Sequence, residues 1–322
     1  MTWFEDITGM DEESPEQVRR ELSIDHDCIV CPNGNRLAFG RLETPTLAEL
    51  RTAVESLDAH RGQANVREIV GDVRHLHSDP DNSNALFQVA SQFNLLEMTA
   101  PSVTPERGVG IYEYDHTQGP ACAIACGAGT IYRNYFAPVV AADGRTVVGQ
   151  SARQQIDCSV DLGKLLGNTN GKLWSMENGY LFPTNDGLQQ ITTRLQLATE
   201  TELDECRGEL RIGLQWNAGV TLPSAEHRVS QAYCSGLPVA YGRQPTEDWT
   251  DFAKLILDAA YEATICAGIL NASQTGVQTV FLTLLGGGVF GNRDEWIIGA
   301  IQRAVEEYRD HDLDLAIVSY MS

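Results

Sequence analysis

The spacing of apolar side chains near the end of the chain predicts a strand, a loop and a helix in that order. Apolar residues are almost continuous over 277–285, which is typical of a strand buried on both faces. From Asp294 the apolar positions recur at helical spacing as far as Tyr308, so a helix is expected there. The glycine-rich loop between them consists of Gly286, Gly287, Gly288, Val289, Phe290, Gly291 and Asn292.

A glycine-rich loop between a strand and a helix predicts a site for a phosphate or a diphosphate. Its backbone N–H groups are not blocked by side chains, and the start of a helix favours negative charge. The alternative is an ordinary turn, but a tight turn needs only one flexible residue. No βα unit with a ribose-binding acid follows, and Asn292 and Arg293 stand where a Walker loop has Lys and Ser or Thr. We therefore expect anion binding without hydrolysis of a nucleoside triphosphate.

Two earlier apolar runs end in polar residues. The run VREIVGDV, which begins at Val66, ends with Asp72 and Val73. The run ALFQVASQFN, which begins at Ala85, ends in a polar group that includes Asn94. In open α/β sheets ligands bind beyond the carboxyl ends of strands, so these side chains are site candidates. The alternative is a hydrogen-bonded loop.

A third candidate is the segment before a predicted helix of small residues. Asp115 precedes Thr117, Gln118 and Gly119, and Pro120 occupies a first-turn position that suits proline. The start of that helix offers a second place that tolerates an anion, with Asp115 as an acid beside it. The alternative is that Asp115 simply caps the helix.

Strands and helices alternate along most of the chain, which predicts an α/β fold with a mixed sheet between two helical layers, a three-layer α/β/α arrangement. Residues 1–64 are expected to form an N-terminal ββα extension with an acidic arm, a hairpin and a capped helix. Residues 65–322 are expected to form the main domain. Asn-Gly and Asp-Gly pairs within 137–200 predict a β-rich insertion.

Composition narrows the partners and the compartment. The 322 residues carry 23 basic and 44 acidic side chains, a formal charge of -21, so we expect no binding to nucleic acid or to an anionic membrane. The chain shows neither a signal sequence nor a membrane-spanning run, so a cytoplasmic protein is expected, with its eight cysteines as thiols. Cys28 and Cys31 have the spacing of half a zinc site, but no second half follows, so no metal is expected.

With these segments in place, the chain resembles a macrodomain, an α/β/α fold that binds ADP-ribose. VREIVGDV is similar to the family's opening strand, which would place Asp72 on the adenine amine with Val73 beside it. SQFN would bring Asn94 to the distal ribose, and LLGGGVFGN followed by a helix resembles the diphosphate and ribose loop. The resemblance covers about residues 66–135 and 210–320. It implies ADP-ribose as the ligand, ADP-ribose or an ADP-ribosylated protein as the partner, and no cofactor.

The chain also departs from the family pattern. Ser91-Gln-Phe-Asn94 stands where the family usually has Asn-Ala-Ala-Asn, and the Gly-Gly-Gly…Gln-Glu-Glu of the poly(ADP-ribose) glycohydrolases is absent. ASQFNLLEM with DHTQGPACA is more similar to the large MavL-type macrodomain hydrolases, which remove ADP-ribose from modified ubiquitin arginine. That branch implies a mono-ADP-ribosylated protein with an arginine linkage, and ubiquitin as a candidate target.

Three carboxylates, Asp115, Glu97 and Glu113, are candidates for the chemistry of such a reaction. Cleavage of an ADP-ribosyl bond develops positive charge at the anomeric carbon, so a carboxylate is needed to orient water or to stabilise that charge. Asp115 is the first candidate because it precedes Thr117, and Glu97, three residues after Asn94, is the second. The sequence therefore predicts an ADP-ribosyl hydrolase. The alternative is a reader that binds ADP-ribose without cleaving it, since Asn217 places an amide at a strand end where an acid could serve.

Overall fold

The structure, a computed structural model, describes residues 2–57, 62–140 and 144–319. Within these ranges the strands are β1 (Ser23–Asp25), β2 (Cys28–Val30), β3 (Arg36–Ala38), β4 (Arg41–Glu43), β5 (Asn65–Val70), β6 (Leu86–Ala90), β7 (Pro138–Val140), β8 (Thr146–Val148), β9 (Trp174–Glu177), β10 (Tyr180–Pro183), β11 (Gly213–Gly219), β12 (Arg228–Cys234), β13 (Thr279–Thr283) and β14 (Asp314–Ser319).

The helices alternate with these strands along most of the chain. They are α1 (Trp3–Thr8), α2 (Pro15–Glu21), α3 (Leu47–Glu55), α4 (Val73–Ser78), α5 (Gln118–Ala125), α6 (Gly127–Tyr135), α7 (Val160–Leu166), α8 (Asn185–Leu197), α9 (Glu200–Gly208), α10 (Thr250–Thr275) and α11 (Asp294–Glu307). The strand and the helix predicted on either side of the glycine-rich loop are β13 and α11, and α11 begins at Asp294 as expected.

A seven-stranded sheet crosses the centre of the molecule in the order β4-β11-β12-β6-β13-β14-β5. The strands from β12 to β5 are parallel, whereas β11 is antiparallel to β12 and β4 is antiparallel to β11. β6 and β13 are buried almost throughout, as their continuous apolar runs predict. The predicted α/β class with a mixed sheet is confirmed.

Helices cover both faces of this sheet. Phe87 and Gln88 are neighbours on β6, so their side chains point to opposite faces. Phe87 stacks on His77 of α4 with ring centroids 3.8 Å apart, and Gln88 donates a hydrogen bond to Thr264 of α10. α4, α5 and α6 pack on the first side, and α3, α9, α10 and α11 pack on the second. The molecule therefore has the predicted three layers.

α10 is the central helix of the second side. Its segment Thr246–Thr275, which includes the turn before the helix, is long and apolar enough to cross a membrane by length and composition. However, 83% of its apolar window is buried inside the protein, which is how a core helix is placed. Its apolar character is therefore explained by packing against the sheet and against α3 and α11.

The N-terminal part is more ordered than the acidic arm predicted from the sequence. α1 and α2 pack Phe4 and Val18 into a second hydrophobic cluster with Ile131 of α6. The predicted hairpin is present as β2 and β3, and α3 carries the predicted capping box of Thr46 and Glu49. β4 joins the edge of the central sheet, so the part before residue 64 contributes a strand to the same sheet as the rest.

The segment 137–200 contains two hairpins, β7–β8 and β9–β10, but also the helices α7 and α8. Asn178 and Gly179 form the turn of β9–β10, both with positive φ (47° and 83°), as the Asn-Gly pair predicts. The prediction of a turn at Asp186 and Gly187 is wrong. Thr184 accepts a hydrogen bond from the Gly187 N–H, so these residues form the first turn of α8.

Candidate active-site cleft

A cleft opens where the parallel strands β6 and β13 separate. They pair at two positions, the last of which joins Phe87 to Phe281. Beyond this point the Gln88 side chain accepts a hydrogen bond from the Thr283 N–H at 3.2 Å, in place of a backbone partner. The carboxyl ends of the two strands are therefore held apart, which is where open α/β sheets bind ligands.

The start of α5 fills the other side of this gap. The Gln118 side chain accepts a hydrogen bond from the Ala90 N–H at 3.0 Å and donates one to the Gln88 carbonyl at 2.9 Å. It thus bonds to β6 as a neighbouring strand would. Beyond it lies a cleft of about 280 Å³.

Five parts of the chain line the cleft: the segment after β6, the start of α5, the β9–β10 hairpin, the loop after β12, and the end of β13 with the glycine-rich loop. The lining residues are Ala90, Ser91, Gln92, Glu97, Met98, Thr99, Asp115, Thr117, Gln118, Gly119, Pro120, Tyr180, Gly236, Tyr241, Thr283, Leu284, Leu285, Gly286, Gly288, Val289 and Phe290.

Glu97 is a buried carboxyl group that reaches the cleft. Its side chain is only 2% exposed, and neither carboxyl oxygen has a hydrogen-bond partner among the described residues. Burial raises the pKa of Glu97 to about 8, although the positive charge of Arg133 acts in the opposite direction. Glu97 is therefore largely protonated at neutral pH, and it borders the cleft.

A tight turn from Gln92 to Met98 holds Glu97 in this position. The Gln92 side chain accepts a hydrogen bond from the Met98 N–H at 2.9 Å and donates one to the Met98 carbonyl at 3.3 Å, which closes the turn. Leu95 adopts a φ of 65°, an unfavourable conformation for a branched side chain. The Glu97 N–H donates to the Tyr112 hydroxyl at 3.0 Å. Hydrogen bonds before and after Leu95 thus fix the turn.

Asp115, the first carboxylate candidate from the sequence, has a different environment. It is half-buried at the rim, and its Oδ1 accepts hydrogen bonds from the Thr117 N–H at 2.9 Å and the Thr117 hydroxyl at 2.7 Å. This arrangement is a local turn and not the helix cap that the sequence left as an alternative, because Thr117 is the N-cap residue of α5 and Asp115 bonds only to Thr117. Asp115 and Glu97 both line the cleft, but Glu97 alone of the two lacks a partner.

Gly119 allows α5 to start directly against the end of β6. A Cβ at this position would lie 1.9 Å from the Ala90 carbonyl oxygen and 3.3 Å from Cγ of Glu97. No other residue fits. The N–H groups of Gln118 and Gly119 find no acceptor in the described part of the chain, so the positive end of α5 faces the cleft beside Glu97.

The glycine-rich loop presents a second group of open N–H donors. Gly286 and Gly291 both have a φ of 72°, which curls the loop back on itself. The N–H groups of Gly288, Val289 and Phe290 have no hydrogen-bond acceptor among the described residues. These successive donors form the kind of concave backbone surface that binds anions.

The base of this loop is anchored by Asn292 and Tyr261. The Asn292 side chain donates to the Leu237 carbonyl at 2.8 Å. The Tyr261 hydroxyl donates to the Thr283 carbonyl at 2.6 Å and accepts from the Leu285 N–H at 2.9 Å. The open N–H donors therefore belong to a loop whose two ends are fixed by side-chain hydrogen bonds.

Three aromatic rings form one wall of the cleft. The Tyr180 ring centroid lies 5.4 Å from that of Phe290 and 5.6 Å from that of Tyr241. The Tyr180 hydroxyl donates to the Met98 carbonyl at 2.8 Å, which ties the β9–β10 hairpin to the turn that carries Glu97. The sequence analysis missed Tyr180 and Tyr241, because nothing in their spacing places the β9–β10 hairpin and the loop after β12 together at the cleft.

The cleft carries no cationic side chain. None of its lining residues is Lys, Arg or His. An anion would therefore be held by backbone N–H groups and the start of α5. Across the described ranges, no group of three or more His, Cys, Asp and Glu residues is arranged to hold a metal ion.

Several residues predicted as ligand contacts do not line the cleft: Asp72, Val73, Asn94, Gly287, Gly291 and Asn292. Asp72 caps α4 by accepting from the Arg74 N–H at 2.8 Å, at the end of an edge strand three positions from β6. Asn94 is fully buried. It donates to Gln155 at 2.9 Å and accepts from the Leu96 N–H at 3.1 Å.

The helix after the glycine-rich loop and the amide of Asn217 also differ from expectation. The first turn of α11 contains Asp294 and Glu295, whose charges complement the helix dipole and leave no place for an anion. Asn217 lies in a bulge of β11 and is not among the lining residues, so the reason for expecting a reader is removed.

A larger cleft of about 890 Å³ lies between α3, α9, α10 and α11. Its centre is an ion-pair cluster in which Glu262 bonds to Arg51 at 2.6 Å and to Arg303 at 2.7 Å. These groups satisfy one another, so we interpret this cleft as structural.

No family model and no curated protein matches the chain. Among solved structures, the chain is similar to poly(ADP-ribose) glycohydrolase from Thermomonospora curvata bound to the inhibitor ADP-HPD, with 12% identity and a TM-score of 0.43 over 95% of this chain and 89% of that chain. It is also similar to poly(ADP-ribose) glycohydrolase from Deinococcus radiodurans in complex with ADP-ribose, with 11% identity and a TM-score of 0.43 over 88% and 87% of the two chains. These values are too low to assign the activity of those proteins to this chain.

Proposed function

We propose that the cleft binds ADP-ribose and that the protein is a hydrolase that releases ADP-ribose from mono-ADP-ribosylated protein. The observation that carries this proposal is Glu97, a buried acid whose carboxyl group has no hydrogen-bond partner among the described residues, beside two groups of open backbone N–H donors. Such a carboxyl group costs stability and serves no structural contact, which is typical of a catalytic acid.

The binding step follows from the donors and the aromatic wall. The N–H groups of Gly288, Val289 and Phe290 would hold the diphosphate by its oxygens, since phosphate binds open backbone N–H groups without a basic side chain. The aromatic wall of Tyr180, Tyr241 and Phe290 offers ring faces on which a base or a ribose packs. A rigidly held diphosphate fixes the position of the distal ribose.

The chemical step follows from Glu97. Its carboxyl proton moves to the leaving atom while the bond to the anomeric carbon breaks, and positive charge develops on the ribose. Water then attacks the anomeric carbon, and the Glu97 carboxylate takes a proton back from it. Asp115 lies at the rim, and its Oδ2 accepts no hydrogen bond from the described residues, so it is available to orient that water.

The substrate in detail rests on the sequence resemblance. An arginine linkage and ubiquitin as target are proposed as the first cases to test, against serine-linked and acidic-linked substrates. A cytoplasmic location is proposed as well, since all eight cysteines are free thiols. The same cleft without a cationic residue, in a chain of charge -21, supports a protein substrate over a nucleic acid.

The test is a binding and release experiment on the purified protein. Calorimetry with free ADP-ribose should show one site, and incubation with a mono-ADP-ribosylated protein should release ADP-ribose. Glu97→Gln should bind ADP-ribose as the wild type does but release it about 100-fold more slowly or worse, because a positioned acid contributes roughly 10²–10⁴ in rate. Glu226→Gln, at a position outside the cleft, is the matched control.

The outcomes separate the candidates. Tight binding without release by the wild type would make the protein a reader, and absence of binding would contradict both functions. Release that is unchanged in Glu97→Gln but lost in Asp115→Asn would return the catalytic role to the first candidate from the sequence.

A further inference from the structure

Arg133 is a buried cation whose partners are all neutral. It lies on α6 and is fully buried. Its guanidinium donates to the Leu95 carbonyl at 2.9 Å and to the Thr130 hydroxyl at 3.0 Å, and it lies over the Tyr233 ring, 3.6 Å from the centroid. In the ranges that the structure describes, it forms no ion pair with a carboxylate. A buried charge without a counter-charge is costly, so this position calls for an explanation.

Glu97 is a buried acid in the same part of the protein interior. The carbonyl that Arg133 binds belongs to Leu95, two residues before Glu97 in the tight turn. Arg133 is also the charged group that lowers the pKa of Glu97 against the effect of burial. The positive charge of Arg133 thus acts on the Glu97 carboxyl group through the protein interior, although the two side chains form no ion pair.

The other titratable groups near Glu97 do not supply this charge. Tyr112 from the turn before α5, Cys122 from α5 and Tyr233 from β12 are all buried, and burial raises the pKa of each. They are neutral at neutral pH. Asp115 at the rim is held by Thr117 and would repel a second carboxylate. Arg133 is therefore the buried positive charge that an ionised Glu97 meets.

We propose that Arg133 is a positioning residue for catalysis, which acts through Glu97 by supplying the counter-charge for the carboxylate that forms when Glu97 gives up its proton. This inference rests on the proposed function. The O–H bond of Glu97 breaks, the proton goes to the leaving atom with the breaking glycosidic bond, and the negative charge that remains on Glu97 is stabilised by Arg133.

The separation between the two groups is part of this arrangement. A direct ion pair would hold Glu97 ionised before the reaction, as Arg51 and Arg303 do for Glu262. At a distance, Arg133 leaves the resting carboxyl protonated and acts when charge develops. Its hydrogen bonds to neutral groups fix the guanidinium, so it cannot swing to contact Glu97.

The test compares neutral and charged replacements of Arg133. Arg133→Met and Arg133→Gln remove the charge, and Arg133→Lys keeps it. Arg207→Gln removes a guanidinium that is equally buried but paired with Glu200 and Asp204, so it is the matched control. Circular dichroism and thermal unfolding establish which variants are folded.

Two readouts are used. The first is the pH dependence of ADP-ribose release, and the second is the infrared band of the protonated Glu97 carboxyl group, taken as the difference from the Glu97→Gln protein. In Arg133→Met and Arg133→Gln, the alkaline limb of the rate and the loss of the infrared band should both move up by about one pH unit or more, because a nearby opposite charge shifts a carboxyl group by that amount. Release at neutral pH should fall about tenfold.

Arg133→Lys should keep both titrations close to those of the wild type, and Arg207→Gln should not move them. The proposal is overturned if a folded neutral variant shows an unchanged infrared titration, or if Arg133→Lys loses as much activity as Arg133→Met at every pH, which a purely structural role would cause. If the protein releases no ADP-ribose at all, the proposed function fails, and the infrared titration still decides whether Arg133 controls the charge of Glu97.

Discussion

Glu262 and Glu97 are both almost fully buried, at 1% and 2% exposure, but their surroundings are opposite. Glu262 lies between Arg51 and Arg303. Burial alone would raise its pKa, but the hydrogen bonds from these arginines bring it below its ordinary value. Glu97 has no hydrogen-bond partner for its carboxyl group among the described residues, and burial raises its pKa to about 8. The first group is fixed in its charged form, whereas the second can exchange a proton.

The comparison teaches that burial by itself does not identify a functional acid. The charge of Glu262 is used to join α3, α10 and α11 through two arginines. In the described part of the chain, the Glu97 carboxyl group has no hydrogen-bond partner, and the residue borders the cleft. The absence of partners, together with access to a cavity, separates the two roles.

The largest effect should come from Glu262→Gln. It removes the buried counter-charge that Arg51 and Arg303 share and leaves them the more exposed Asp204, so the free energy of unfolding should fall by on the order of 3 kcal/mol. Glu97→Gln should instead raise it at neutral pH, because the neutral amide replaces a group that is protonated in the folded protein but ionised in the unfolded chain. Urea unfolding of both variants measures the difference. Equal losses in the two proteins would remove the basis of the comparison.

The pH dependence of stability should have opposite sign for the two glutamates. Glu97 binds its proton more tightly in the folded state, so its contribution is full below the ordinary value of 4.5 and is lost as pH rises toward about 8, by on the order of 1 kcal/mol per pH unit. Glu262, with a lowered pKa, contributes above 4.5 and loses its contribution as the pH falls. Unfolding is measured for the wild type and both Gln variants from about pH 3 to about pH 9; Glu97→Gln should remove the slope above 4.5, and Glu262→Gln should remove the slope below it. A wild-type slope that persists in Glu97→Gln contradicts the assignment.

Substitutions of two glycines on opposite sides of the cleft should separate an effect on ligand binding from an effect on stability. A Cβ at Gly288 meets nothing within 4 Å, so Gly288→Val should fold normally and weaken ADP-ribose binding about tenfold or more, because the side chain blocks the approach of the ligand to the backbone. Gly119→Ala should lower stability by roughly 2 kcal/mol, since its Cβ would overlap the Ala90 carbonyl. Calorimetry and thermal unfolding distinguish the two effects. A Gly288→Val protein that binds normally would exclude the glycine-rich loop from the site.

The smallest effect is expected from Tyr180→Phe. It removes the hydrogen bond to the Met98 carbonyl but keeps the aromatic ring, so the loss of stability should be about 1 kcal/mol. Release of ADP-ribose should fall only a few-fold. Tyr180→Leu, which removes the ring as well, should weaken binding further. If both variants bind ADP-ribose as the wild type does, the aromatic wall does not contact the ligand.

The sequence predicted the layered fold and the strand, loop and helix around residues 277–308, because these features follow from periodicity within one stretch of chain. It also placed the start of α5, the glycine-rich loop and Glu97 among the candidates. It could not rank Glu97 above Asp115. The environment of Glu97 is set by Gly119, Tyr112 and the charge of Arg133, which come from other parts of the chain.

Asp72 and Asn94 show the limit of assigning contacts from a motif alone. Both lie at strand ends, as expected, but one caps a helix and the other bonds to Gln155 within the 137–200 segment. Nothing in the spacing of the sequence indicates that this segment would take up the Asn94 side chain. The aromatic wall was missed for the same reason, since Tyr180 and Tyr241 come from separate connections.

The separation of β6 from β13 has a consequence for the dynamics of the sheet. The N–H groups of Ala90 and Thr283 are bonded to glutamine side chains and not to a neighbouring strand. Rotation of one side chain frees such a hydrogen, whereas a hydrogen inside a paired ladder is freed only when the strands part. These two amides should therefore exchange with deuterium from the solvent earlier than the rest of β6 and β13, and a ligand that fills the space between the strands should slow them.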